Sequence, residues 1–164
     1  MTSNSVRIRN MTKTAILTAM VFVLTAYLHI PVGNGYVHLG DGIIYLSACM
    51  LPLPYGLFVG IVGASMADVM SGFALWAPAT ALIKGLTVLC FRRGDKPLCL
   101  RNIVALIPAC ILCAGGYYLY EAILYSNFIS PAAGIPGNLM QSLCSSVLFL
   151  ILSDLLSKTD LWKK

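Results

Sequence analysis

Three ionisable residues, Asp68, Lys84 and Glu121, stand inside long apolar runs of this sequence. A charge held in hydrocarbon costs at least about 2.5–3.5 kcal/mol, so such residues are kept where they pair or serve a cavity. Helical spacing extends each of them into a polar face. Trp76, Thr80, Lys84 and Thr87 share one face; Tyr117, Glu121 and Tyr125 stand four apart; Asn138, Gln141 and Ser145 share a third. Asn34, Tyr36, His38 and Asp41 follow Pro31 in a polar connection. Aromatic rings with a few converging carboxylates and amides are the usual make-up of a small-molecule pocket. The candidate ligand-binding residues are therefore Lys84, Glu121, Trp76, Asn138, Gln141, Tyr117, His38 and Asp68. Lys84, with its flexible stem, is expected to reach Glu121 or Asp68.

Several of these residues have a second, plainer role open to them. Asp41, in a GDG context, is either a helix N-cap or a ligand contact. His38 and Trp76 fit an interfacial position as well as a pocket, and Tyr125 is assigned to an interfacial aromatic belt. Asn138 could serve the Pro136-led start of its helix, and Lys84 with a carboxylate could be a structural ion pair.

The residue types also describe the ligand. The apolar runs hold one cation and no arginine, whereas a phosphorylated ligand calls for bidentate Arg or a cluster of donors. A small, uncharged or weakly charged heteroaromatic ring, stacked on Trp or Tyr and hydrogen-bonded to Glu121, Asn138 and Gln141, fits better. There is no GxxxxGK[ST] phosphate loop. His29 and His38 give no metal constellation, and no Ser-His-Asp or Cys-His dyad stands out. The expectation is a protein that is not an enzyme and binds no cofactor or metal. Cys110 and Cys113 have CxxC spacing, but in the run IPACILCA they read as small apolar residues.

These side chains need helices in lipid to position them. Of the 164 residues, 59% are hydrophobic and 10% charged, against about 25% charged in a soluble domain. At about 20 residues per span, the length allows about six helices and no separate soluble domain, so residues 1–164 form one domain. Pro and Gly divide the apolar runs at about 13–30, 41–51, 54–72, 75–91, 102–125 and 136–156. The second run, eleven residues or about 16 Å, is half a hydrocarbon core. It is a short or tilted helix, a helix buried among the others, or a re-entrant segment in a five-helix alternative. The first run is too long for a signal-peptide core and is read as a span.

Charge decides between the counts. Arg7, Arg9 and Lys13 precede the first run; Arg92, Arg93, Lys96 and Arg101 lie between the fourth and fifth; Lys158, Lys163 and Lys164 follow the sixth. Six spans place ten of the eleven basic residues on one side, with both termini in the cytoplasm. Basic clusters of this kind report topology rather than nucleic-acid binding. The same directions put Asp68 and Glu121 about 6 Å, and Lys84 about 12 Å, below the outer surface. The predicted architecture is an all-α, integral membrane six-helix bundle.

Small residues recur at spacing four in Gly56, Gly60, Ala64 and Asp68, and in the AxxxA step of Ala15 and Ala19. Such stripes let helices approach closely in lipid, within the chain or against a partner membrane protein.

The stretch HLGDGIIYLSACMLPLPYGLFVGIVGASMADVMSG, followed by WAPATALIKGL, together with Ala15 and Ala19, resembles the substrate-binding S components of energy-coupling factor (ECF) vitamin transporters. The resemblance covers nearly the whole chain and is strongest to the hydroxymethylpyrimidine/pyridoxine- or riboflavin-like subgroup. It implies a prokaryotic, multi-pass cell-membrane protein that binds one vitamin near the outer face, using the first outer loop and helices four to six. It implies partners too: a transmembrane T component met through helices one to three, with Ala15 and Ala19 in the coupling surface, and two cytoplasmic ATPases that use the ATP. Release would follow toppling of the S component in the membrane. Pyridoxine or hydroxymethylpyrimidine is favoured over riboflavin or thiamine, because one tryptophan near the site suits a one-ring ligand. The competing classes are an intramembrane enzyme and a structural membrane subunit without a ligand.

Overall fold

The computed structural model describes residues 3–32, 35–94 and 96–159. Asn34, Lys163 and Lys164, used above, lie outside the described residues. Helix α1 spans Ser3–Ala26, followed by strands β1 (His29–Val32) and β2 (Gly35–His38). Next come α2 (Gly40–Met50), α3 (Leu53–Met70) and α4 (Ala77–Cys90). Helices α5 (Leu100–Val104) and α6 (Leu106–Leu124) form one rod broken at Ala105. A 3-10 turn, Ser130–Gly134, leads into α7, Ile135–Ser157. The described fold is helical apart from one antiparallel hairpin.

The first helix begins and ends earlier than the apolar run does. Its polar N-terminal residues hold no breaker and continue the helix. At the other end Pro31 disfavours helix at Ile30, and Ile30-Pro31-Val32 extends instead. The hairpin pairs His29 with His38 and Ile30 with Val37.

The short second helix is the centre of the molecule. Residues Gly40 to Cys49 of α2 are all buried, and α1, α3, α4 and α7 pack around it. A helix enclosed in this way needs neither full membrane length nor a polar face. Its small residues let the neighbours close in. A Cβ at Gly42 would lie 2.8 Å from the Ser145 carbonyl oxygen of α7. The stripe on α3 is spent on the same packing: a Cβ at Gly60 would meet Val88 at 3.1 Å and Ile44 at 3.2 Å, and one at Gly63 would meet Val21 at 3.0 Å. Gly56, Gly60 and Ala64 are thus internal contacts, not a docking face. Ala15 and Ala19, by contrast, are exposed on α1.

These close approaches give a direct test. Gly42→Ala is expected to lower stability by about 1–3 kcal/mol, because backbone must move to admit the methyl. Gly115→Ala on α6, where the added Cβ meets nothing within 4 Å, should be neutral or stabilising by about 0.5–1 kcal/mol. Thermal midpoints in detergent separate the two.

The exterior is apolar. Ile107 and Ile111 on α6, and Leu143, Val147 and Ile151 on α7, face outward at helical spacing. The interior carries the polar groups, including Asp41, Lys84, Gln141 and Ser145. Leu53–Met70, Leu100–Leu124 and Ser130–Ser157 are long and apolar enough to cross a membrane, and Ala77–Cys90 is a shorter apolar helix. At the end of the bundle away from the hairpin, Tyr45 stacks on Phe91 at 4.9 Å, and Phe149 meets both edge-on. Buried Asn102 closes that end: its amide group donates to the carbonyls of Arg92 and Pro97 and its oxygen accepts from Arg92 N–H.

Candidate solute-binding site

The site is built upward from a buried ion pair. Because α2 starts inside the bundle, its first turn brings Asp41 beside the middle of α4. Lys84 Nζ lies 2.8 Å from Asp41 Oδ1 and 2.9 Å from Oδ2, with both residues 1% exposed. This corrects the expected pairing: Lys84 meets neither Glu121 nor Asp68. Leu39, not Asp41, stands at the N-cap of α2, and both Asp41 carboxylate oxygens are turned to the lysine.

Gln141 of α7 joins this pair to the layer above. Its Nε2 donates to Asp41 Oδ2 at 2.9 Å, and its Oε1 lies 3.4 Å from the backbone N–H of His38. Cys113 Sγ sits 3.7 Å from Gln141 Nε2 and 4.0 Å from both Lys84 Nζ and Asp41 Oδ2. The small-apolar reading of Cys113 is therefore incomplete: the thiol is a wall of the polar network. It carries no disulfide to Cys110.

His38 closes the hairpin over this network. It is 6% exposed, so it is a packed residue rather than an interfacial one. Its Nδ1 accepts the Gly40 N–H at 3.1 Å, which leaves the proton on Nε2. Burial pushes its pKa down to about 4; Asp41 opposes that shift, while Lys84 and His29 add to it. An unfolded histidine titrates near about 6.5, so between these values the unfolded chain binds more protons. The contribution to stability is full above the upper value and is lost as pH falls toward the lower one. The expected observation is a His38 imidazole NMR signal that stays flat from about pH 8 to pH 5.

Above this layer lies a cavity of about 320 Å³. Trp76 Nε1 donates to Glu121 Oε1 at 3.0 Å, tying the start of α4 to the end of α6. The Thr80 and Tyr117 hydroxyls are 2.9 Å apart, and the Tyr36 hydroxyl donates to Asp68 Oδ1. An aromatic wall runs from Tyr36 to Phe73 (4.9 Å between centroids) and on to Trp76 at 5.7 Å. The far side is the 3-10 turn with Gly137 and Asn138 of α7. That turn is shaped by Asn127, whose side-chain oxygen accepts the N–H groups of Ile129 and Ser130.

Seven of the eight expected residues line this cavity: Glu121, Trp76, Asn138, Gln141, Tyr117, His38 and Asp68. Lys84 does not; it sits a turn deeper, its ammonium 5.3 Å from the Tyr117 ring centre. Tyr125, assigned to a belt, lines the cavity as well. Phe73 and the segment Ser130–Gly134 were not foreseen. The first belongs to a connection with no helical phase to place it. The second carries a Pro-Ala-Ala-Gly composition that signals a turn but not what the turn faces.

An apolar exterior, a polar interior and an aromatic cavity with carboxylates define a helical membrane protein built to hold a small solute. Comparison with known proteins assigns the family: the chain belongs to the ECF-type riboflavin transporter S components, whose family model matches residues 5–158. A solved chain described as the S component of a bacterial ECF transporter superposes with a TM-score of 0.71. That match covers 96% of this chain and 99% of the other at 18% identity, a likeness of fold. A protein of Pyrococcus woesei, described as an uncharacterized protein in gap 3'region, is 43% identical over 56 residues. The matched part is 34% of this chain and 37% of that relative's length.

Proposed function

We propose that this protein is the substrate-binding subunit for ATP-driven uptake of a small water-soluble vitamin or precursor, held in the cavity between the hairpin and helices α4, α6 and α7. The observation that carries this reading is the Trp76–Glu121 hydrogen bond beside an aromatic wall: a flat ring can stack there and meet a carboxylate in the same plane. In this reading Gln141, Asn138 and Tyr117 contact the ligand. Lys84 acts at one remove, by fixing Asp41 and through it Gln141.

In the same proposal the chain makes six spans of a prokaryotic cell membrane. Both termini are cytoplasmic and the cavity opens outward, as the clustering of basic residues supports. A transmembrane T component docks on α1 around Ala15 and Ala19, and two cytoplasmic ATPases hydrolyse the ATP. The exposure of both alanines supports this. Ala15→Trp is then expected to abolish uptake in cells while leaving binding by the isolated chain within about twofold, since nothing in the cavity changes.

Pyridoxine or hydroxymethylpyrimidine is the favoured ligand. Riboflavin is the second reading, supported by the family description. Titration of purified protein, followed through Trp76 fluorescence, with pyridoxine, hydroxymethylpyrimidine, thiamine and riboflavin ranks them. Saturable binding of one at near one-to-one stoichiometry supports the reading; no binding of any sinks it.

A further inference from the structure

At the end of the bundle away from the cavity, Arg92, Arg93, Lys96 and Arg101 line one basin, with Leu98 and Cys99 in its wall. All four cations are exposed. No Asp or Glu is among the described residues lining the basin, and the ion pairs of the described residues, Asp41 with Lys84 and Asp154 with Lys158, lie elsewhere. Asp95, the one acid of this connection, lies outside the described residues. The connection is not free to spread its charges. Buried Asn102 ties it together through the N–H and carbonyl of Arg92 and the carbonyl of Pro97, and the Cys99 carbonyl accepts the N–H groups of Asn102 and Ile103. Membrane topology explains why this side is basic. It does not explain why four cations are held around one concavity, where each raises the cost of the others. An apolar surface starts at the rim: Leu100, Val104, Ile107 and Ile111 are exposed in succession along α5 and α6.

We infer that this basin seats the phosphate headgroup of an anionic phospholipid, with the acyl chains laid along the exposed strip of α5 and α6. Arginine meets phosphate oxygens with two parallel N–H donors, and three of the four cations are arginines. A basic pocket on the cytoplasmic side, beside an apolar helix face, is an arrangement that holds anionic lipid. The strip selects a lipid over a soluble phosphate, since a free anion makes no use of it. The site is independent of the vitamin cavity, and its failure would leave that cavity's assignment untouched.

Native mass spectrometry of the full chain in detergent, offered equal amounts of phosphatidylglycerol and phosphatidylcholine with the same acyl chains, tests this. The wild type is expected to retain phosphatidylglycerol about tenfold or more over phosphatidylcholine, at about fivefold per basic residue engaged. Arg93→Gln/Arg101→Gln should bring the two lipids to within about twofold of each other. Arg7→Gln/Lys158→Gln removes the same charge outside the basin and should keep the wild-type preference. The proteins are compared after a check that their thermal midpoints match. Glycerophosphoglycerol, the same headgroup without chains, and inorganic phosphate, each in excess over the lipid, should leave phosphatidylglycerol bound. Equal retention of both lipids by the wild type, or equal losses of preference in the two double variants, overturns the site. Displacement by either soluble phosphate overturns lipid as the occupant and makes the basin a site for a soluble anion.

Discussion

Replacing Asp41 with Asn, or Lys84 with Met, is expected to destabilise the protein by about 3–5 kcal/mol, the largest effect of any single polar substitution here. The reason is asymmetry. Each charge is fully desolvated at the centre of the bundle and has one counter-ion at 2.8 Å. Removing one partner leaves the other as an uncompensated buried charge. The double variant Asp41→Asn/Lys84→Met should lose less than the sum of the single losses, because no bare charge remains. The consequence extends upward. Asp41 also holds Gln141 at 2.9 Å, so the double variant should fold and yet bind ligand less tightly. Thermal midpoints and ligand titrations on all four proteins resolve these effects. Additive losses would show that the pair contributes nothing as a pair.

The second large effect falls on the ligand. Trp76→Ala is expected to weaken binding by about 2–3 kcal/mol, or about 30–150-fold, by removing a ring face and the donor that orients Glu121. Glu121→Gln keeps the shape and leaves an acceptor for Trp76 Nε1, so a smaller loss of about tenfold is expected. Both residues are half-buried at the cavity rim rather than in the core, so the fold should survive. Isothermal titration with the tightest-binding vitamin measures both. Equal, small losses would place the ligand elsewhere.

Much of this is legible in the amino-acid sequence. Period and phase place Trp76 with Thr80, Tyr117 with Glu121, and Asn138 with Gln141 on one polar face of their own helices, because a helix fixes the direction of each side chain once its register is known. Depth along each run put them at one level. What phase cannot give is the rotation and offset of one helix against another. For that reason Asp41, which begins a helix too short to be placed by length, was not seen as the partner of Lys84. Residues outside helices were harder still. Tyr36 and His38 could be named as polar, but the hairpin that buries His38 depends on the pairing of His29 with His38. The stripe of Gly56, Gly60 and Ala64 pointed to close packing without saying against what; Ile44, Ala48 and Val88 are the answer. Ala15 and Ala19 of α1, by contrast, stay exposed.

The central claim is that this cavity holds the vitamin, and mass spectrometry of material released from protein purified without added ligand tests it most directly. Wild type and Trp76→Ala are prepared in parallel and matched for thermal stability. The account predicts one nitrogen heterocycle, near one per chain in the wild type and strongly depleted in Trp76→Ala. A heterocycle retained equally by both proteins, or its absence from the wild type together with no uptake from a vitamin mixture, would contradict it.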